Sequence, residues 1–430
     1  MKRRTWQIPL GVALILLFGA WPASAVVRFQ CPANLLTDGT GPGGVRLDPV
    51  TGFATGETDD PNVLCIHLAA GDGFVNMADK LRPDAPGGWP QYIFSFSDVT
   101  GVPDNDVVSV GTLQANFSAP TIKVREGQDL YLTLTNVGMV MRPDLFDPHS
   151  VHYHGFPNAS AIYDGVPDAS VVPFPFASFT YFYRNVDPGT YLWHCHVEAA
   201  EHMQMGMLGN LYVLPTQDGT DPGANCPSQK FAYDDGDGST CYDVDFPLQI
   251  AGFDKNFHDL HLAVQPLPFA AMDDNYPMLN GRGYPDTTLA GPPLPFPVDV
   301  DGVTPLNQEV PSQRVSALIT ATQGQKILLR ISSLSTTSFH NLEVLGIPMT
   351  VIAKDARLLR GPSPDGGVTP GIDLSYGANS ISLGGGQSAD VILDTAGVAP
   401  GTYFLYAREL NHMNNYQERF GGMMTEIRIQ

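Results

Sequence analysis

The chain has 430 residues, with 23 Lys+Arg against 44 Asp+Glu for a formal net charge of −21, and only 16% of it is charged. A negative surface of this kind argues against nucleic acid and anionic membrane as partners. With 44 Gly and 37 Pro punctuating short runs rich in Val, Thr, Tyr and Phe, the pattern excludes a helical bundle and predicts an all-β protein.

Residues 1–25 read as a signal peptide: Lys2, Arg3 and Arg4, an apolar run from Ile8 to Ala20, then Ala23-Ser24-Ala25 as the cleavage site, with Val26 starting the mature chain. Export to the periplasm or the extracellular space is therefore expected, with the Arg3-Arg4 pair leaving a twin-arginine route open beside the ordinary one. No later stretch has the roughly 18 apolar residues that spanning a bilayer needs, so no membrane span is expected after cleavage. Five cysteines in an exported chain suggest two disulfides and one thiol with another task. Cys31 with Cys65 and Cys226 with Cys241 are the natural local pairings, although four cysteines allow three arrangements; Cys195 is left over.

Two segments of the first half recur in the second. Gly127-Gln128 within REGQDLYLTLTN matches Gly324-Gln325 within TQGQKILLRISS, and each opens an alternating strand. HSVHYHGFP from His149 aligns with HNLEVLGIP from His340, and PGTYLWHCH from Pro188 aligns with PGTYFLYAR from Pro400. One sandwich fold is thus used twice, with domain 1 expected over 26–215, a Gly/Asp-rich acidic linker over 216–243 and domain 2 over 244–430. The linker run Asp234 to Ser239 faintly resembles a calcium loop but lacks the distal Glu, which favours a surface loop tied by a disulfide.

The chemistry concentrates in His149-x-x-His152-x-His154, then His194-Cys195-His196, His202 and Met207. In a strand, residues i and i+2 share a face and i+1 takes the other. His152 and His154 therefore point one way, as do His194 and His196, while Cys195 points opposite to its two neighbours. A few covalent bonds then join a thiolate on one side to imidazoles on the other, a short route for electrons between two metal sites. Two histidines, a thiolate and a weak axial Met suit a mononuclear electron-transfer copper, here His149, Cys195, His202 and Met207. Met203 and Met205 are read as packing residues, because the step from His202 to Met207 lands on the entry to the strand LGNLYV. Imidazole-only ligation by His152, His154, His194 and His196 suits a copper that leaves positions open to an exogenous ligand such as dioxygen.

HxxHxH followed by HCH, His and Met resembles the copper signature of the multicopper oxidases, the laccase-like enzymes. The resemblance implies two cupredoxin-like Greek-key β-sandwich domains in tandem, a plan similar to two-domain laccases and copper nitrite reductases, and hence a homo-oligomer, by preference a trimer. It implies that His149, Cys195, His202 and Met207 hold the type 1 copper, and that His152, His154, His194 and His196 are half of a type 2/type 3 cluster where dioxygen is reduced. Cys195, His194 and His196 are the residues implied to carry electrons from one to the other. The reductant is a small molecule, a metal ion or an electron-carrier protein.

The pattern breaks in domain 2, where the aligned positions read Glu343 for His152, Leu345 for His154, Tyr406 for His194, Ala407 for Cys195 and Arg408 for His196. His149 alone keeps its counterpart, His340, which by resemblance to the nitrite reductases is a candidate to reach a neighbouring subunit's copper, with His412 a weaker one. His67, His258 and His261 occupy no motif position and are read as structural. Two alternatives to an oxidase stand: an electron carrier or copper-binding protein with only the type 1 site, and a nitrite-reductase-like enzyme with an intersubunit type 2 copper. His152 and His196 argue against the second, since that family is expected to carry Asp and no histidine at those places.

Overall fold

The structure is a computed structural model, and it describes residues 26–430 apart from 39, 80–88, 157–159, 185–186, 221–225, 290–293, 300 and 367–368. Residues 1–25, where a signal peptide is expected, lie outside the described residues. Among those residues, no helix is long and apolar enough to cross a membrane.

In the first half the strands are β1 (Val63–Met77), β2 (Trp89–Asp98), β3 (Ile122–Arg125), β4 (Asp129–Gly138), β5 (His152–Tyr153), β6 (Ser178–Arg184), β7 (Gly189–His194) and β8 (Leu208–Leu214). They form two sheets, ordered β2-β1-β4-β6 and β3-β8-β7-β5. The second half runs through β9 (Val244–Ala251), β10 (Met278–Leu279), β11 (Ile319–Ala321), β12 (Lys326–Ser333), β13 (His340–Leu345), β14 (Met349–Lys354) and β15 (Arg357–Leu358). It continues with β16 (Tyr376–Ala378), β17 (Ser380–Leu383), β18 (Gln387–Asp394), β19 (Gly401–Ala407), β20 (Asn414–Asn415), β21 (Glu418–Arg419) and β22 (Met424–Ile429). Its main sheets are ordered β10-β9-β12-β18-β14-β15, with β16 on β14, and β11-β22-β19-β13-β17.

The halves repeat one topology. The parallel pair β1 with β4 recurs as β9 with β12, and β3 with β8 recurs as β11 with β22. Recurring sequence signatures do the same work in each. Gly127 and Gly324 take φ of +82° and +91°, a turn that glycine adopts without steric penalty. The following Gln128 and Gln325 accept the backbone N–H of Arg125 and Thr322 at 2.7 and 2.8 Å. In the two PGTY segments the hydroxyls of Tyr191 and Tyr403 donate to the carbonyls of Asp187 and Ala399 at 3.0 and 2.8 Å, a corner that pins the strand entry.

Each half buries its own core. Leu64, Ile66, Phe94, Phe96, Leu132 and Trp193 anchor the first, and Ile327, Leu329, Val391, Leu405 and Ile427 the second. Between them the outer face of β7 meets β12 and β18 through a polar seam. Asp390, 1% exposed, accepts from Thr190 Oγ1 and Tyr233 Oη, and Arg330 reaches Asp245 at 3.2 Å and lies over the ring of Tyr212.

Both disulfides form as the local pairings, Cys31–Cys65 and Cys226–Cys241, and Cys195 stays free and buried. The Asp234 to Ser239 run closes on itself. Asp235 accepts the N–H groups of Asp237, Gly238 and Thr240, which fits the tied surface loop.

Candidate metal centre

Cys195 follows directly on β7, and the pleat decides what it faces. Its thiol is fully buried in the first-half core. Sγ lies 3.2 Å from His202 Nδ1 and 4.0 Å from His149 Nδ1, and the three donor atoms fall within 4.8 Å of one another. His149 comes from the loop before β5, tethered by its N–H to the carbonyl of Pro173 at 3.3 Å. His202 comes from the helix Ala199–Met205. Met207 closes the loop: its N–H donates to the His202 carbonyl at 2.9 Å, and its own carbonyl accepts from Cys195 N–H at 3.2 Å. Met205 packs in the first-half core and Met203 against an apolar cluster to which both halves contribute.

The opposite face carries the imidazoles. His152 on β5 and His194 on β7 pair across one antiparallel rung. Ring centroids separate His152 from His196 by 4.9 Å, His154 from His194 by 4.9 Å and His194 from His196 by 5.6 Å. Nε2 of His154 and Nε2 of His194 face each other at 2.9 Å. Their other ring nitrogens and that of His152 are anchored on backbone carbonyls: His152 Nδ1 on Asp164 at 2.6 Å, His194 Nδ1 on Cys195 at 2.7 Å, and His154 on Gly386 of the second half. Such bonds fix the tautomer and leave Nε2 lone pairs free for a metal.

Burial sets the protonation. It pushes His194 down to about 3 and His202 to about 4, and lowers His149 and His154 as well. All four are neutral at ordinary pH, as metal ligation requires. Burial also pushes the Cys195 thiol up to about 11, so a cation is what makes its thiolate favourable there. A thiol and two Nδ1 atoms converging in a buried pocket, with four imidazoles behind them, match the donor chemistry of copper.

Sequence reasoning missed the residues that support these ligands. Ser150, fully buried, donates its backbone N–H to Cys195 Sγ at 3.3 Å, and its Oγ accepts the N–H of His196 at 3.0 Å, so one residue braces both faces. Its place inside HSVHYH was the available signal. Glu201, adjacent to His202, accepts from His261 Nε2 at 2.9 Å, while Arg142 donates to His261 Nδ1 at 3.0 Å. His258 bridges the carbonyls of Tyr92 and Gln204 at 2.6 and 3.0 Å. His258 and His261 are structural, as read, yet what they hold in place is the helix bearing His202.

His340 requires a correction. Expected to reach a neighbouring subunit, it is fully buried and turned into its own half, with Nδ1 3.1 Å from Nδ1 of His412. The cause is strand phase: on β13 the inward positions are His340, Leu342 and Val344. The aligned rung of the second half pairs Glu343 with Tyr406, and Glu343 is held by Arg408 at 3.1 Å. An ion pair thus stands where the first half carries the His152 and His196 imidazoles.

Comparison with known proteins follows from this geometry. Two family models, both described as multicopper oxidase, match residues 97–218 and 271–426. The multicopper oxidase MmcO of Mycobacterium tuberculosis is 25% identical over 315 residues, covering 66% of this chain and 55% of that protein. The chain spans about half the length of the curated relatives it matches. Among solved structures, the blue copper oxidase from Nitrosomonas europaea superposes with a TM-score of 0.57 at 21% identity, covering 84% of this chain and 85% of the other. A copper nitrite reductase from the same organism gives 0.53 at 14% identity, covering 86% and 93%. These likenesses show the tandem cupredoxin-like sandwich fold.

Proposed function

The chain belongs to the multicopper oxidase family, with copper as its cofactor, and on that premise we propose that it is an exported oxidase that takes electrons at the Cys195 centre and delivers them to dioxygen at the histidine quartet. The observation that carries this reading is the tripeptide His194-Cys195-His196, whose sulfur converges with His149 and His202 on one face of the sheet while its imidazoles gather with His152 and His154 on the other. In this reading His149, Cys195, His202 and Met207 hold the type 1 copper, and His152, His154, His194 and His196 hold their share of a type 2/type 3 centre. Bound copper supplies one-electron redox chemistry at the first set and open positions for dioxygen at the second.

The chain's own part is to fix these donors. Ser150 and the Met207 loop hold the thiol, backbone carbonyls orient the imidazoles, and Phe94, edge-on to His202 at 5.2 Å, helps to exclude water. On the outer side, carboxylates of Asp147 and Glu198 lie within 4.8 Å of a His202 nitrogen. That flank, and the acidic surface generally, suit a cationic or neutral reductant better than an anionic one. Because Glu343 and Arg408 occupy the positions aligned with His152 and His196, the rest of the cluster has to come from outside this half-site. The first half of a second copy, meeting this one about a twofold axis so that each supplies four histidines, is the proposed source. The division at 26–215 and 244–430 is proposed with it.

Oxygen uptake by the copper-loaded full chain with an electron donor tests the proposal. The oxidase consumes dioxygen, and His152→Ala abolishes uptake while leaving the visible band of the Cys195 centre in place. One copper per chain with an intense band and no uptake marks an electron carrier instead, and nitrite turnover marks the reductase alternative.

A further inference from the structure

The second half keeps a liganding frame whose sulfur is gone. Ala407 stands at the rung of Cys195, and its N–H donates to the Met423 carbonyl at 2.9 Å, as Cys195 does to Met207. Met423 N–H donates in turn to the His412 carbonyl at 2.9 Å, as Met207 does to His202. The two loops are therefore closed by the same pair of backbone bonds, and they place His340, His412 and Met423 where the first half has His149, His202 and Met207. His340, Ala407 and Met423 are fully buried and His412 is 5% exposed.

The imidazoles are arranged as ligands are. The same ring nitrogen, Nδ1, points inward from both, 3.1 Å apart, with the ring centroids at 4.5 Å. Nε2 of His340 is buried with no hydrogen-bond partner, as are the Nε2 atoms of His149 and His202. A gap of this size accommodates two bonds of about 2.0 Å meeting at roughly 100°, close to a tetrahedral or trigonal angle. Glu409, held by Asn341, brings a carboxylate oxygen to 3.7 Å from His412 Nδ1, a countercharge for a buried cation.

We infer that His340 and His412, with Met423 at the axial position, bind one copper ion in its cuprous state, at a site separate from the Cys195 centre. Two imidazoles and a thioether without a thiolate select the softer, monovalent ion. No sulfur-to-copper charge transfer arises there, so the site adds nothing to the visible spectrum. The inference is independent of the proposed oxidase activity, because it rests on the second half alone.

The test loads the wild-type full chain and the His340→Gln/His412→Gln variant with cuprous ion under anaerobic conditions and counts copper per chain. One copper fewer in the variant, with the visible band of the Cys195 centre unchanged after oxidation, is the expected result. Equal copper content in the two folded proteins overturns the inference and leaves the pair as a hydrogen bond. Should the variant not fold, anomalous diffraction at the copper edge from wild-type crystals decides. A peak within bonding distance of both Nδ1 atoms supports the site, and no peak there while the Cys195 centre is occupied overturns it.

Discussion

Cys195 and Ala407 occupy equivalent rungs of the two halves, each donating its backbone N–H to the carbonyl of a buried methionine, Met207 at 3.2 Å and Met423 at 2.9 Å. One sulfur atom is thus the main chemical difference between two otherwise similar loops. Ala407→Cys in a Cys195→Ser background should therefore create a new thiolate beside His340 and His412. Cupric loading followed by absorption spectroscopy is expected to give an intense visible band in this double variant. A folded, copper-replete variant without that band contradicts the equivalence.

Gly386 packs against the half-site from the second half. A Cβ added there lies 3.0 Å from the His154 ring, and the residue's φ is +87°. Gly386→Ala is expected to cost about 1–3 kcal/mol through backbone strain and crowding. It should also displace His154, lowering copper retention by the quartet with the Cys195 band intact. Thermal melts and copper analysis of the variant check both effects.

Arg330 is fully buried between Asp245 and the tyrosine rings of the seam. Arg330→Met leaves the carboxylates of Asp245 and Asp390 without their cation. The expected loss is about 3–5 kcal/mol, read as a lower denaturation midpoint. An unchanged midpoint contradicts the role given to the seam.

His67 is fully buried with Nε2 2.7 Å from Thr135 Oγ1, and burial pushes its pKa down to about 4. In the unfolded chain an imidazole titrates near 6.5. Between those values the unfolded state takes up a proton that the folded state refuses. The contribution of His67 is therefore intact above about pH 6.5 and is lost as pH falls toward 4, by an amount of order 3 kcal/mol. Unfolding free energies of wild type and His67→Gln should accordingly converge between pH 7 and pH 4. A difference independent of pH contradicts a neutral, buried His67.

What the sequence made legible was whatever alternation and repetition encode. The opposition of Cys195 to His194 and His196 follows from the pleat, and the aligned segments reappear as the rungs His152 with His194 and Glu343 with Tyr406. Ser150, Asp164 and the His258 and His261 props were not legible, because each acts through a contact that only the folded chain brings together, such as His258 with Tyr92 across the two halves. His340 differs for another reason: its alignment with His149 and the place of His412 in the ligand loop are both legible, but that the two imidazoles turn toward each other inside one half is a contact only the folded chain makes.

The central claim is that Cys195 supplies the thiolate of a copper centre closed by His149 and His202. The most direct measurement is the visible spectrum of the copper-loaded Cys195→Ser protein beside wild type. Loss of the intense band, with circular dichroism unchanged and the Cys31–Cys65 and Cys226–Cys241 bridges intact, is the predicted result. Persistence of the band in a folded variant contradicts it.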